Sequence, residues 1–344
     1  MDSFINATPK ITVLMPVYNC ELYVNAAIDS ILNQSCTDFE FLILDDASTD
    51  ETVSIIKSYK DSRIQLIEKP LNTGYTNSLN MGLQVAKGKY IARMDGDDIS
   101  LPERFARQVA YLDANPEVVV CGTSYEILGE NKQTVIPESH NAIKLALLKS
   151  NCIAHPSVLI RKKILDEFSI IYDASKEPSE DYAMWVRLLS VGKLHNLQEV
   201  LLKYRIHSTS VSHKRVEDQE KRAIEIKLQL LNNLDIILDY CEREILEKCF
   251  KKKITIDFGE IKIFKQVHEK LLISNADCFF EPIGFTQFLN DFEADVLRKC
   301  FLRQNKYSPS VYLEYLKTKK EWNVRLTTIQ EIKLAVKSMI FWKM

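Results

Sequence analysis

Three groups of neighbouring acids stand out in this chain as side chains able to do chemistry. Asp95-Gly-Asp97-Asp98 packs three carboxylates into four residues, while Asp45-Asp46 and Glu180-Asp181 bring two each. Like charges held so close repel, and desolvating them together is costly without a counter-ion. A divalent cation is the usual remedy, and oxygen ligands suit Mg2+ or Mn2+. The competing reading of Asp95–Asp98 is a solvated acidic loop ahead of the helical pattern Pro102–Asp113. From the motif alone those two readings stand level. Glu180-Asp181, taken in isolation, reads as a pair complementing the dipole of a helix over Tyr182–Leu189. No G-x-G-x-x-G follows the first apolar strand pattern, and no G-x-x-x-x-G-K-[ST] occurs, which argues against dinucleotide dehydrogenases and P-loop enzymes.

The elements that must position these acids come from the periodicity. Ile11–Val17 is a short, β-branched apolar run and reads as a buried strand. Glu21–Leu32 has helical spacing, and Phe39–Leu44 is a second strand that stops at Asp45-Asp46. Ser48-x-x-Glu51 has the form of a capping box opening a helix with Val53, Ile55, Ile56 and Tyr59. A third strand over Arg63–Ile67 and a helix over Thr76–Lys87 follow, with Gly88 placed to cap that helix in the left-handed conformation. Lys89–Met94 is a fourth strand and runs straight into Asp95. Strands alternating with helices at short intervals predict βαβ units and a parallel sheet, whose right-handed crossovers put every strand's C-terminal end on one edge. Pro16–Asn19, Asp45-Asp46 and Asp95–Asp98 each follow a strand and should converge on one cleft at that edge, where open α/β sheets bind ligands.

Composition narrows the class. The 344 residues carry 45 basic and 47 acidic side chains, for a formal charge of −2, with 46% hydrophobic and 27% charged residues. That is globular composition, long enough for about two domains. A near-neutral total argues against wholesale nucleic-acid binding, which needs a basic face. No apolar run approaches the roughly 18 residues that span a bilayer. The N-terminus lacks the basic and apolar regions of a signal peptide, so the expectation is a cytoplasmic protein, soluble or peripheral to the membrane. None of the eight cysteines forms a C-x-x-C pair; they are expected to be reduced, mostly buried thiols. Residues 1–213 hold 21 basic and 27 acidic side chains, residues 214–344 hold 24 and 20, and seven of nine glycines lie before residue 200. A boundary is expected near Ser212–Glu217, with a helix-rich region after it.

Six segments in register resemble the family 2 glycosyltransferases of bacterial surface-polysaccharide type. Ile11–Asn19 resembles the family's opening strand, Leu44–Asp50 the end of its second, and Lys87–Phe105 its metal-binding segment and following helix. Ala154-His-Pro-Ser-Val-Leu-Ile-Arg161, Glu180-Asp-Tyr-Ala-Met-Trp-Val-Arg187 and Tyr204-Arg-Ile-His207 match later landmarks in the expected order. The resemblance covers residues 10–213. It implies a GT-A fold, a Rossmann-like, mostly parallel α/β sheet flanked by helices, with a mainly helical region over 214–344.

The same resemblance implies roles. Pro16, Tyr18 and Asn19 shape the nucleotide pocket, and Asp46 sits where the family contacts the uracil ring, accepting its N–H from a UDP-sugar. Asn80 belongs to the nucleotide wall, where Leu79 replaces an Arg that many members carry. Asp97 binds the metal, Mn2+ or Mg2+, and Asp95 the metal or the ribose, with Gly96 leaving room for the diphosphate. Asp98 supports them. His207 completes the metal site or touches the diphosphate, and Arg205 meets phosphate oxygens. Asp181 is the general base that deprotonates an acceptor hydroxyl in an inverting reaction, with Glu180 orienting the acceptor. Trp185 is either a sugar platform or core, and His155 either acceptor wall or structural. Arg93 could face either side of the sheet.

The activity that the resemblance implies is transfer of a sugar from a UDP-sugar to a saccharide acceptor, free or lipid-linked. Two rivals remain: a catalytically silent nucleotide-sugar-binding protein, and a sugar nucleotidyltransferase, although Ile11–Glu21 lacks the Gly, Arg and Lys needed to grip a triphosphate. Near the C-terminus Ile329, Ile332, Val336, Met339 and Ile340 mark one helix face, with Lys333, Lys337 and Lys343 interspersed. That face reads either as an interfacial helix suited to anionic lipid or as one docked on the protein's own core.

Overall fold

The computed structural model describes residues 8–130, 132–207, 215–251, 255–304, 306–322, 324 and 326–342. The alternation read from the sequence is present: β1 (Ile11–Val17), α1 (Val24–Leu32), β2 (Phe39–Asp45), α2 (Thr52–Ser58), β3 (Ile64–Glu68), α3 (Tyr75–Val85) and β4 (Tyr90–Arg93). After these come β5 (Ile99–Ser100), α4 (Arg104–Ala114), β6 (Val118–Ile127), α5 (His140–Leu147), β7 (Leu159–Arg161), α6 (Lys162–Glu167), α7 (Glu180–Leu188) and β8 (Lys193–Tyr204). The strands form one sheet in the order β3-β2-β1-β4-β7-β6-β8-β5.

The half that carries the acids is parallel throughout: β1 pairs with β2 and with β4, and β2 with β3. Every residue of β1 and β2 is buried, which is why both read as unbroken apolar runs rather than alternating ones. The other half is mixed. The short β7 runs antiparallel between β4 and β6, and β5 antiparallel beside β8. Sequence periodicity carries no clear sign of that half, because β7 has only three residues and β8 mixes buried and exposed positions without a regular period.

Three expected boundaries change for physical reasons. α1 begins at Val24 rather than Glu21, since the Glu21 carboxylate accepts the Glu51 N–H at 2.9 Å and the Cys20 carbonyl receives the Tyr23 and Val24 amides. The Ser48–Glu51 capping box does not form. The Ser48 hydroxyl instead accepts the Asn19 N–H at 3.0 Å, bridging two loops, and α2 starts at Thr52. Gly88 is not a left-handed cap, because α3 stops at Val85 and positive φ among the glycines is confined to Gly74 and Gly129 in the described residues. It is needed for close approach: a Cβ there would lie 2.3 Å from the Thr12 backbone nitrogen and 2.6 Å from the Ile11 carbonyl carbon.

The chain divides into two compact units, residues 1–226 and 227–344, at a point inside α8 (Val216–Leu231). Residues 208–214, where part of the expected boundary falls, lie outside the described residues. The second unit contains α9 (Tyr240–Phe250), α10 (Ile261–Ile273), α11 (Pro282–Leu302), α12 (Pro309–Trp322) and α13 (Thr328–Met339) around a core that includes Phe264, Leu297, Phe301, Tyr315 and Leu334. All eight cysteines are free thiols, and only Cys241 and Cys278 are exposed.

The backbone clash at Gly88 cannot be relieved by rotating a side chain. Gly88→Ala is therefore expected to lower unfolding stability by about 1–3 kcal/mol, read as a reduced urea midpoint with an unchanged slope.

Candidate active site

β4 ends at Arg93, and the turn after it presents Asp95, Asp97 and Asp98 with one oxygen of each within 4.8 Å of the others. Gly96 permits this turn because a Cβ would meet Val17 Cγ1 at 2.9 Å and Cys20 Sγ at 3.4 Å. The close neighbour of Gly96 is thus the end of β1 and its loop, not only the space the resemblance reserves for a diphosphate. Each acid then has its own anchorage. Asp98 is fully buried; one oxygen accepts the Arg205 backbone N–H at 2.8 Å, and among the described residues the other has no hydrogen-bond partner. Burial, together with the charges of Asp95 and Asp97, pushes its carboxyl well above the usual range. Asp97 faces His207, with Nε2 2.8 Å from its carboxylate, and its carbonyl accepts Arg205 Nε at 2.7 Å. The Arg205 guanidinium lies 4.5 Å above the Tyr23 ring, which also neighbours the His207 ring. The β8 end is in this way fastened to the acidic turn. The three carboxylates form a hard oxygen donor set that fits Mn2+ or Mg2+, and the His207 imidazole adjoins it through Asp97.

Glu180 and Asp181 open α7. Glu180 is buried, accepts the Tyr75 hydroxyl at 2.8 Å, and lies 3.9 Å from His155 Nδ1. Asp181 is only half-buried and accepts Asn151 Nδ2 at 2.7 Å. Burial, then the neighbouring Asp181 charge, pushes Glu180 up to about 8. Burial also raises Asp181, to about 6, against the Tyr182 amide and Asn151, which stabilise its charged form. Both carboxyls are thus held above their ordinary range, and Asp181 is the more accessible of the two. Asp181 is also close enough to Asp95 for that charge to contribute to its shift.

The group that joins the two acidic clusters is Arg93. Its side chain is 5% exposed and ion-paired with Asp95. Its charge lowers the carboxyls of Asp98, Glu180 and Asp181 and disfavours protonation of His155. Arg104, itself fully buried, donates to the Arg93 carbonyl at 2.7 Å and holds the strand end in place. A cation at the last position of a buried strand, two residues before an acidic run, is a signal that the sequence does carry. Only the fold says which way it points.

Among the remaining sites, Pro16 is buried at the end of β1, whereas Tyr18 is 47% exposed and so is not core. Asn19, at φ 50°, accepts the Thr49 N–H at 2.9 Å and ties the first loop to the second. Asp46 is buried and engaged: it pairs with Lys69 and accepts the Thr73 and Gly74 amides at 3.0 and 2.9 Å. Lys69, which the sequence reading did not single out, also donates to Ser78 at 2.9 Å. Both ends of the Asn80 amide bond the Tyr172 backbone at 2.9 Å, a structural use of a group that the resemblance puts against the nucleotide. Trp185 is fully buried and belongs to the core, so it offers no sugar platform. Buried His155, bonded to the Tyr172 hydroxyl at 2.8 Å and held neutral by burial and Arg93, is structural.

Comparison with known proteins bears on the family and the fold. A model of Glycosyl transferase family 2 matches residues 12–168. The O-antigen biosynthesis glycosyltransferase WbnJ of Escherichia coli is 35% identical over 213 residues, covering 58% of this chain and 81% of WbnJ. WfaP of Escherichia coli, named a UDP-Glc:alpha-D-GlcNAc-diphosphoundecaprenol beta-1,3-glucosyltransferase, is 29% identical over 245 residues, covering 70% of this chain and 96% of WfaP. Among solved structures, S. aureus TarS 1-349 in complex with UDP-GlcNAc superposes with a TM-score of 0.59 at 18% identity, over 96% of this chain and 92% of that one. At such identity the structural likeness speaks for the fold, which is GT-A, and the sequence relatives define the class as glycosyltransferases. Within that class the chain belongs to glycosyl transferase family 2.

Replacing Arg93 by Met would leave the carboxylates facing one another with their shared cation gone. The expected loss of stability is about 3–5 kcal/mol, and it should be larger at pH 8 than at pH 5, since protonation at low pH relieves the repulsion. Urea unfolding at the two pH values checks both the size and the sign.

Proposed function

We propose that this chain is an inverting, metal-dependent glycosyltransferase that moves a sugar from a UDP-sugar to a hydroxyl of a saccharide acceptor carried on a lipid diphosphate. The observation that carries the reading is the placement of Asp181: a half-buried carboxylate at the start of α7, held by Asn151 at 2.7 Å and within electrostatic reach of Asp95. A base facing the acidic end of the cleft is what an in-line displacement at an anomeric carbon requires. Asp181 takes the proton of the acceptor hydroxyl as that oxygen bonds to the anomeric carbon. The bond from that carbon to the diphosphate oxygen breaks, its electron pair leaves with UDP, and the configuration inverts. A divalent cation held by Asp95, Asp97 and His207 would neutralise charge developing on the departing diphosphate. Arg205, fixed beside Asp97, is within the same edge of the site and presents a guanidinium suited to phosphate oxygens.

For the donor, the uridine end fits between the Tyr18–Asn19 turn and the loop of residues 69–74 that Asp46 holds. In this reading Asp46 shapes the base pocket through that loop, and its carboxylate reaches uracil only by exchanging one of its present donors. The UDP preference draws further support from the activity for which WfaP is named, and so does the lipid-linked acceptor. A catalytically silent binding protein has no need for an ionisable, half-open acid beside the acidic turn.

Calorimetric titration of UDP with Mn2+ present should give binding that EDTA removes and Asp97→Ala abolishes. Binding that ignores both would overturn the metal role. Asp181→Asn should keep UDP binding and lose about 10²–10⁴-fold in turnover. A base works only when deprotonated, so kcat/KM should fall as pH drops through about 6, and that acid limb should vanish in Asp181→Asn.

A further inference from the structure

Helix α13 is amphipathic in an unusual sense: its strongest apolar face is directed away from the core of its own unit. A capping box at Thr327 and Gln330 starts the helix, and the side chains it buries are Leu334 and Ser338. Ile329, Ile332, Val336, Met339 and Ile340 are between 49 and 69% exposed. At about 100° per residue these five share an arc of about 100° whose centre lies about 170° from that of Leu334 and Ser338. The pattern that the sequence left open between self-docking and an outward surface is thereby decided in favour of the outward one. Phe341 and Trp342, also exposed, follow directly on the helix.

We propose that this face rests on an anionic lipid bilayer, with α13 lying in the interfacial plane. Charge argues for that occupant. Lys333 and Lys337 border the arc on the side of Ile340, and residues 305–344 contain eight basic against three acidic side chains. A bilayer of anionic headgroups complements such a rim, whereas a two-fold dimer through the same face would set each lysine rim close to its copy. The helix is about 18 Å long, and no helix among the described residues is long and apolar enough to cross a membrane. Contact in the plane of the interface is the geometry left to it. Apolar side chains would enter the headgroup boundary while the lysines meet phosphates, and aromatic residues at the helix end suit that depth. The inference stands on α13 alone and does not depend on the sugar or the base assigned above.

The test is co-sedimentation of the full chain with extruded vesicles. Vesicles of phosphatidylglycerol and phosphatidylcholine should bind it at least about tenfold more tightly than phosphatidylcholine alone, and 0.5 M salt should weaken the binding. The double variant Ile332→Glu, Val336→Glu should lose sedimentation yet keep the wild-type circular dichroism and UDP affinity; Lys333→Glu should weaken binding to anionic vesicles alone. No sedimentation of the wild type, or sedimentation unaffected by the double variant, would overturn the proposal. So would a two-chain mass by light scattering that the double variant reduces to one chain, since the face would then be an interface between copies.

Discussion

One guanidinium buried among carboxylates is the constraint on which the rest of the site depends. Arg93 closes β4 with an almost fully enclosed side chain, and the charges around it include Asp95, Asp98, Glu180 and Asp181. Gathering that many acids away from water without a cation is unfavourable, and arginine is the cation that burial does not neutralise. Its attraction outweighs the desolvation that burial imposes, so its own proton is held more tightly than usual. The balance leaves both Glu180 and Asp181 above the ordinary carboxylate range. Burial pushes both neighbouring carboxyls up, while Arg93 and the hydrogen bonds that each accepts pull them down.

A second framework of polar contacts surrounds the first. Asp46 and Lys69 fix the loop leading into α3, and Tyr75 at the start of α3 reaches Glu180 across 105 residues of sequence. Asp98 fixes the end of β8 across 107 residues. In each case the chemistry-bearing acid is either engaged in holding a loop or left partly open toward the cleft. Asp46, Asp98 and Glu180 belong to the first kind, and Asp95, Asp97 and Asp181 to the second. The division separates the more buried acids from the more accessible ones.

The second unit contributes no comparable cluster among its described residues. Its interior is mainly aromatic and aliphatic, with Phe280, Phe285, Phe288 and Phe292 in a stacked row, and its buried Glu242 and Glu293 are paired with Lys270 and with Lys265 and His268. Its distinctive feature is at the surface, where a helix with a satisfied cap and a buried inner side turns its larger apolar side chains outward. Water makes such exposure unfavourable, which is why it carries meaning where scattered exposed leucines do not.

The sequence alone determined the βαβ order of the first unit and the gathering of Asp45-Asp46 and Asp95–Asp98 at one sheet edge. Strands buried on both faces must be apolar runs, and right-handed crossovers leave their C-terminal ends on the same side. It also marked Glu180-Asp181 and the amphipathic pattern of α13, since a helical period is a local property. Only the tertiary structure decided that Arg93 points into the acids, that the Ser48 hydroxyl serves Asn19 instead of a helix, that Trp185 is core, and that Asn80 binds a backbone. It decided too which face of α13 is covered. Each of these depends on a partner distant in the chain, and a side chain's neighbours across the fold leave no periodicity from which they can be read.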